Sequence, residues 1–264
     1  MRRVVVTGLG MINSVGLDKE SSFKAIVEGK CGIKRISSFD TTNHSVKIAG
    51  EITDFVPEEV MNPKDVKKAD RFIQFGIKAA SEAMMDAKLD TYDGERFGVC
   101  SASGIGGLIA IEKNSLICDN RGPRRISPFF IPSALVNMLG GMVAIEHGLK
   151  GPNLSAVTAC AAGTHAISEA FKTIVVGGAD KVLVVGAEAA ICAVGVGGFS
   201  SMKALSTRND EPQLASRPFD KDRDGFVMGE GAGALVLEDY DDAIKRGAHI
   251  YGEIIGFGES GDAY

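Results

Sequence analysis

The sequence predicts an α/β fold in which a parallel or mixed sheet is covered by helices on both faces. Apolar runs of strand length alternate with helix-like segments along the 264 residues. Most of these runs are continuously apolar, which is typical of strands that are buried on both faces. The 33 glycines are dispersed among them and indicate many tight turns. The length allows one large domain or two smaller ones, and no low-complexity segment marks a linker.

The strands are predicted from short apolar runs that end at glycine, proline or charged residues. They cover residues 3–7, 96–101, 154–158, 181–186, 231–238 and 250–258. Gly8 and Gly10 follow the first run, and we predict a tight turn there. The first and last strands both end in Gly-x-Gly, a faint internal echo which hints that a second copy of the architecture begins near residue 250.

The helices are predicted from apolar positions at helical spacing and from capping residues. They cover residues 18–28, 63–88, a segment after the loop 103–107, then 133–147, 161–176, a short stretch near 201–205, and 241–246. Ser133 is predicted to cap the helix that runs towards His147. Gly195, Gly197 and Gly198 are predicted to form a loop.

Three lysines, Lys64, Lys67 and Lys68, stand at the start of the predicted helix 63–88. Cations near a helix N-terminus are slightly unfavourable. The cluster is therefore either a solvated helix start or a surface with a functional reason, such as contact with an acidic partner.

The composition is typical of a folded, soluble protein, with 45% hydrophobic and 24% charged residues. The net charge of −5 argues against nucleic acid as the main partner, because phosphate binding needs a basic excess. Five cysteines without a Cys-x-x-Cys pair predict neither a disulfide framework nor a zinc site, and a reducing cytoplasm fits them. The most apolar stretch, 181–199, contains Glu188 and several glycines, so we predict a buried strand and loop rather than a membrane span.

Cys160 is the strongest candidate for a catalytic residue. It stands between a short apolar run and a helix-like run, and its neighbours Ala159, Ala161 and Gly163 are small enough to let a bulky reagent reach the sulfur. Amides at the start of a helix stabilise an anion there. The alternative is a small buried hydrophobic residue, which is the commoner role of a free cysteine. His165 lies five residues further on and would face away, so these two residues do not predict a Cys–His pair.

Two glycine-rich segments raise the question of a nucleotide cofactor. After Gly8 and Gly10, the third glycine of a dinucleotide fingerprint would fall at Asn13, and no helix begins there. The loop 103–107 lacks the Gly-Lys-Ser/Thr of a nucleotide-binding loop, and a turn that brings backbone close to a buried cavity is favoured. We therefore predict no cofactor.

The segment 220–225 copies the first half of a calcium-binding loop. The twelfth position, where such a loop needs glutamate, is occupied by Gly231. A charged turn is the favoured interpretation, and no metal site is predicted.

Several motifs identify a family. They are Val5-Val-Thr-Gly-Leu-Gly10, Ser103-Gly-Ile-Gly-Gly107, the segment 126–133, Thr158-Ala-Cys160 with Gly163, Leu205-Ser-Thr-Arg-Asn209 and the segment 217–233. On these motifs the chain resembles the β-ketoacyl-acyl-carrier-protein synthases, most closely the type II enzymes of bacterial fatty-acid elongation. The likeness covers all 264 residues.

The resemblance implies the thiolase fold, in which two similar α/β halves stack into alternating α-β-α-β-α layers, usually in a homodimer. Residues 1–249 would form the first half and 250–264 would begin the second. The implied reaction starts when Cys160 takes an acyl group from acyl carrier protein. Malonyl-carrier protein then loses CO₂, and its carbanion attacks the acyl-enzyme to give a 3-oxoacyl chain. The amide of Cys160 would form half of the oxyanion hole.

The resemblance also implies roles for other residues. Ile105 and Phe199 would line the acyl pocket, and Phe130 would reach the pocket of the neighbouring subunit. The basic surface that docks the acidic carrier protein would comprise Lys64, Lys67, Lys68 and Lys203.

The family uses two histidines and a lysine from its second half, in His-Gly-Thr and Thr-Lys-Ser-x-x-Gly-His motifs that do not occur here. We therefore expect this sequence to be part of a longer enzyme and the chain alone not to catalyse condensation. Two alternatives remain open: a polyketide ketosynthase, or a non-catalytic half or dimerisation partner of a ketosynthase.

Overall fold

A six-stranded mixed sheet forms the centre of the fold in the computed structural model, which describes residues 2–263. The strands are β1 (Val4–Asn13), β2 (Lys34–Arg35), β3 (Ile48–Ala49), β4 (Phe97–Ala102), β5 (Asn153–Ala156), β6 (Lys181–Glu188), β7 (Gly231–Asp239) and β8 (Gly252–Ile254). The order in the main sheet is β5-β4-β6-β7-β1-β8, and β2 pairs with β3 separately. β4 runs parallel to both β5 and β6, whereas β7 is antiparallel to β6 and β1. The predicted mixed sheet is confirmed.

Helices cover both faces of this sheet, as predicted. They are α1 (Lys19–Val27), α2 (Pro63–Val66), α3 (Arg71–Asp86), α4 (Leu108–Arg121), α5 (Phe130–Ala134), α6 (Met138–His147), α7 (Ala162–Val175), α8 (Ala193–Ser201) and α9 (Tyr240–Lys245). Within residues 2–263, none of the helices has the length and apolar character needed to cross a bilayer.

The strand β6 shows why the apolar runs of this sequence are continuous. Val182 and Val184 pack towards α7 on one face, whereas Leu183 and Val185 pack towards α3 and α6 on the other. Successive side chains of a strand point to opposite faces, so a strand covered on both sides needs apolar residues throughout.

The first strand is longer than predicted, and the predicted turn at Gly8 and Gly10 is wrong. Both glycines lie inside β1, which continues to Asn13 with a register shift between Val6 and Gly8. A Cβ on Gly10 would overlap the carbonyl oxygen of Ala79 and lie 2.8 Å from the nitrogen of Ala83. The glycines therefore let the backbone of α3 pack directly onto β1.

The predicted helix 63–88 is two helices, because the chain turns between α2 and α3. Asp70 precedes α3 with its side chain only 7% exposed, and its Oδ2 accepts a hydrogen bond of 2.7 Å from the amide of Ala110 in α4. Burial raises the pKa of the Asp70 carboxyl to about 6. The break also corrects the charge argument, since Lys67 and Lys68 follow the end of α2 rather than the start of a long helix. A cation at a helix C-terminus is favourable.

Three further predictions are corrected. Ser133 is not the cap of a helix towards His147, because it lies within α5 and its hydroxyl donates to the carbonyl of Phe130. The glycines at 195, 197 and 198 belong to α8, so the predicted loop there and the helix near 201–205 are wrong. The last strand, β8, is shorter than the predicted 250–258.

Candidate active site

A cavity of about 600 Å³ opens at the end of the sheet where β4 and β6 finish and β7 begins. Its lining is mostly apolar or glycine, and it includes Cys160, Ile105 and Phe199. Ligands bind preferentially outside the carboxyl ends of parallel strands, which is where this cavity lies. The fold thus brings together three of the residues that the sequence singled out.

Cys160 is presented by a tight turn between a strand and a helix. β5 ends at Ala156, a single 3₁₀ turn covers Ala159–Ala161, and α7 begins at Ala162. Ala159 has a φ of 50°, in the left-handed region that residues with a side chain seldom adopt. Cys160 itself is the middle residue of the 3₁₀ turn, and it lines the cavity.

The exposure of Cys160 separates it from the two cysteines that fill the core. Cys160 is exposed, whereas Cys100 and Cys192 are buried. Burial raises the pKa of the Cys100 thiol to about 12 and that of Cys192 to about 11. Cys160 therefore has the access that a nucleophile needs, and these two do not.

The loop 103–107 forms one wall of the cavity and carries Ile105. Its backbone is held by Glu188, whose carboxylate accepts hydrogen bonds from the amides of Gly104 and Ile105 at 2.8 and 3.1 Å. Gly106 adopts a φ of 74°, a conformation that favours glycine. Sequence reasoning missed Glu188, although a single carboxylate in the apolar stretch 181–199 was a signal.

Phe199 forms a second wall. It extends from α8 and packs edge-on against Phe226, with 5.4 Å between the ring centroids. The first turn of α8 is tied to α4, because the amide of Val194 donates to Glu112 at 2.6 Å. The walls that carry Ile105 and Phe199 are thus linked through α4.

Phe130 does not line this cavity. It is the first residue of α5 and is half-buried, next to the exposed Phe129 and Ile131. Its predicted role is to reach the pocket of a neighbouring subunit, which a single chain does not test. That role therefore stays a prediction.

His165 contacts a residue other than the cysteine. Its Nδ1 lies 2.6 Å from the hydroxyl oxygen of Thr158. The described residues contain no group of three or more His, Cys, Asp or Glu side chains arranged to hold a metal ion.

The four lysines predicted to dock a carrier protein are at the surface, in two places. Lys64 and Lys67 are exposed, and Lys68 is half-buried and paired with Asp65 at 2.7 Å. Lys203 is exposed with a φ of 56°, and it lines a second cavity of about 750 Å³.

This second cavity adjoins the first, since Phe226 lines both. It is also lined by Arg217 and Arg223, which the sequence alone indicated as members of a charged turn that pair with its carboxylates. The cavity that holds Cys160 thus has a neighbour with three cationic side chains.

Comparisons with known proteins define the class. Residues 1–243 match the family described as Beta-ketoacyl synthase, N-terminal domain, and the chain belongs to this family. A solved β-ketoacyl synthase from Burkholderia phymatum superposes with a TM-score of 0.91 at 31% identity, covering 100% of this chain and 66% of that one. The fold is therefore the thiolase-like fold of the ketosynthases.

Particular relatives narrow the comparison. The chain is 52% identical over 265 aligned residues to 3-oxoacyl-[acyl-carrier-protein] synthase 2 of Vibrio cholerae, and 46% identical to the protein of the same name from Synechocystis. All of this chain is covered in both cases, but it spans only 64% of the length of these curated relatives. The resemblance stated from the motifs is confirmed.

Proposed function

We propose that this chain is the nucleophile-bearing part of an elongating 3-oxoacyl-[acyl-carrier-protein] synthase. The observation that carries the proposal is an exposed cysteine at a helix start beside a largely apolar cavity of about 600 Å³. The 52% identity to a synthase of that name supports the same conclusion.

In the first stage, the Cys160 thiolate attacks the thioester carbonyl of acyl-carrier protein and forms a new C–S bond. The C–S bond to the carrier breaks, and the carrier leaves as a thiolate that takes up a proton from solvent. The carbonyl oxygen gains negative charge, and the amide of Cys160 would donate to it as half of the oxyanion hole. The acyl tail then lies along Ile105 and Phe199. Each buried methylene contributes about 0.8 kcal/mol, so an apolar wall favours longer chains.

In the second stage, malonyl-carrier protein loses CO₂ and its carbanion attacks the Cys160 thioester, releasing the 3-oxoacyl product. The groups that support this carbanion are the two histidines and the lysine of the family's second half. In the division proposed here, residues 1–249 form the first half and 250–264 begin the second. The 264-residue chain should therefore accept an acyl group without forming the condensation product.

The partner in both stages is an acidic acyl carrier protein. Lys64, Lys67 and Lys68 on the first surface, and Lys203 beside the second cavity, would meet its carboxylates. A structural neighbour at 32% identity and a TM-score of 0.85 is a type II polyketide ketosynthase in complex with its acyl-carrier protein, which supports this partner.

A homodimer is proposed from the open edge of the sheet. β5 pairs only with β4 among the described strands, and Leu154 on β5 is 45% exposed. Two copies could pair at this edge around a two-fold axis. Phe130 lies on α5, which packs against α6 beside β5, and in such a dimer it would contact the partner's pocket.

The second candidate is a polyketide ketosynthase. The solved type II polyketide ketosynthase is 32% identical, against 46–52% for the 3-oxoacyl-[acyl-carrier-protein] synthases, which favours fatty-acid elongation. A non-catalytic half is disfavoured by the retained, exposed Cys160. The five free cysteines support a reducing, cytoplasmic location.

The test is acyl transfer from hexanoyl-carrier protein to the 264-residue chain, followed by intact and peptide mass spectrometry. We expect one hexanoyl group on Cys160, and none in the Cys160→Ser variant. Cys31 and Cys118 are the internal controls, because neither is buried. Acylation spread over those two thiols, with none on Cys160, would refute the proposal.

A further inference from the structure

We infer that Glu188 is a positioning residue that sets the acyl-chain selectivity of the Cys160 cavity by holding the loop 103–107 in place. The inference rests on the proposed function, because it concerns the cavity that would receive the acyl tail. The supporting observations are hydrogen bonds, cavity lining and the close approach of Gly104 to the turn that carries Cys160.

Glu188 binds three consecutive residues of the loop. Its Oε2 accepts from the amides of Gly104 and Ile105, and its Oε1 accepts from the hydroxyl of Ser103 at 3.2 Å. Both oxygens are engaged, so the carboxylate anchors the loop rather than serving as a free base.

The rest of the loop depends on this anchor. The hydroxyl of Ser103 donates to Glu188 and accepts from the amide of Gly106 at 3.0 Å, so the same side chain closes the turn. Gly107 is held separately, by a hydrogen bond from its amide to the carbonyl of Ala134. Without Glu188, the amides of Gly104 and Ile105 would lose their acceptor inside a largely apolar cavity, and the loop would have to rearrange.

The loop also touches the nucleophile's turn. A Cβ on Gly104 would lie 3.1 Å from Oε2 of Glu188 and 3.4 Å from the Cα of Ala159. The backbone at Gly104 is therefore enclosed between the carboxylate and the residue before Cys160. A shift of this loop would move the Ile105 wall and change the space beside the sulfur, without changing the sulfur itself.

The access of small reagents to the Cys160 sulfur should therefore be separable from the preference of the cavity for long alkyl chains. A small reagent needs only access to the exposed sulfur. A reagent with a long alkyl tail also needs the Ile105 wall in place, since misplacement of a binding wall by about 1 Å can cost up to roughly 100-fold in rate.

The experiment compares alkylation of Cys160 by iodoacetamide and by N-dodecyl iodoacetamide, with peptide mass spectrometry to locate the adduct. We expect wild-type protein to prefer the dodecyl reagent and Glu188→Ala to lose about tenfold of that preference, measured as the ratio of the two alkylation rates. Glu188→Gln should retain most of the preference, because its amide keeps an oxygen for the two loop amides. Hydrogen exchange should show faster exchange in residues 103–107 of Glu188→Ala only.

A matched control is available at Glu51. Its carboxylate also accepts from two consecutive amides and a serine hydroxyl, those of Ser37 and Ser38, but it lies outside the Cys160 cavity. Glu51→Ala should leave the preference unchanged. If Glu188→Ala does not fold, Ser103→Ala removes part of the same network and should lower the preference to a smaller extent.

The outcomes are distinct. An unchanged preference in folded Glu188→Ala overturns the inference and leaves the proposed function standing. Equal losses in Glu188→Gln and Glu188→Ala overturn the positioning role, because the charge rather than the geometry would then matter. A wild-type protein without any preference for the long reagent at Cys160 overturns the proposed acyl cavity, and the inference with it.

Discussion

At Gly10 the space that a side chain would occupy is filled by the backbone of α3. The same is true of Gly8, where an added Cβ would overlap the carbonyl oxygen of Ala83. Both positions lie in β1, which pairs with β7 through the middle of the sheet. Close packing of a helix on a sheet is thus fixed by two residues that have no side chain.

We predict that Gly10→Ala lowers the free energy of unfolding by at least about 2 kcal/mol, because the added methyl group overlaps backbone atoms that cannot rotate away. Urea denaturation monitored by circular dichroism would measure it. The control is Gly233→Ala on the paired strand β7, where nothing lies within 4 Å of the added methyl group. That change should alter stability by less than about 1 kcal/mol, and equal effects of the two substitutions would show that the packing argument is wrong.

The candidate site was predictable from sequence only where its parts are local. Cys160 stands out because the strand, the small residues and the helix start are adjacent in the chain. Glu188 does not stand out in the sequence, because its partners Gly104 and Ile105 lie more than 80 positions away in the chain. Side chains that act through distant backbone groups leave little trace in a local pattern.

Among the elements, α2 and α3 show where periodicity misleads. Val66, Ala69 and Ile73 keep helical spacing across the break, so a single helix was predicted. The interruption is stabilised by a tertiary contact, the hydrogen bond from the amide of Ala110 to Asp70. Tertiary contacts of this kind override local propensity and cannot be read from spacing alone.

The burial of Asp70 predicts that the free energy of unfolding depends on pH. The folded pKa of Asp70, about 6, lies above its unfolded value near 4, so the native state holds the proton more tightly. The stability associated with Asp70 is full below pH 4 and is lost as the pH rises through 6. Relative to Asp70→Asn, which does not titrate, wild-type protein should lose about 1 to 3 kcal/mol of unfolding free energy between pH 4 and pH 8.

Asp180 is the control, because its contribution to stability should depend on pH in the opposite direction. Hydrogen bonds from Arg96 and Arg2 hold the pKa of the Asp180 carboxyl well below its usual range. The advantage of wild-type protein over Asp180→Asn should therefore be present at neutral pH and shrink as the pH falls below about 4. Chemical denaturation at a series of pH values measures both differences. If the difference in unfolding free energy between wild-type protein and Asp70→Asn did not change with pH, the buried-carboxylate argument would be wrong.

For the whole molecule, the alternation of apolar runs and helix-like segments was enough to predict a mixed sheet between two helical layers. The order of its strands was not predictable in this way. β7 inserts between β6 and β1, more than 200 residues after β1 in the chain. Nothing in the local composition of residues 231–239 distinguishes a central strand from an edge strand, because both can be apolar and rich in glycine.

The open edge at β5 gives the prediction for the whole molecule. If two copies pair there, sedimentation should give a molecular mass that is twice the 27.7 kDa of one chain. Leu154→Lys places a charge on each side of the two-fold axis, so it should raise the dimer dissociation constant by about 100-fold. Sedimentation velocity over a range of concentrations measures this constant.

The matched control is Val27→Lys on α1. Val27 is 71% exposed and remote in the chain from β5, so this variant should leave the dimer intact. A monomeric wild-type protein, or a Leu154→Lys variant that dimerises as tightly as Val27→Lys, would show that β5 is not the interface.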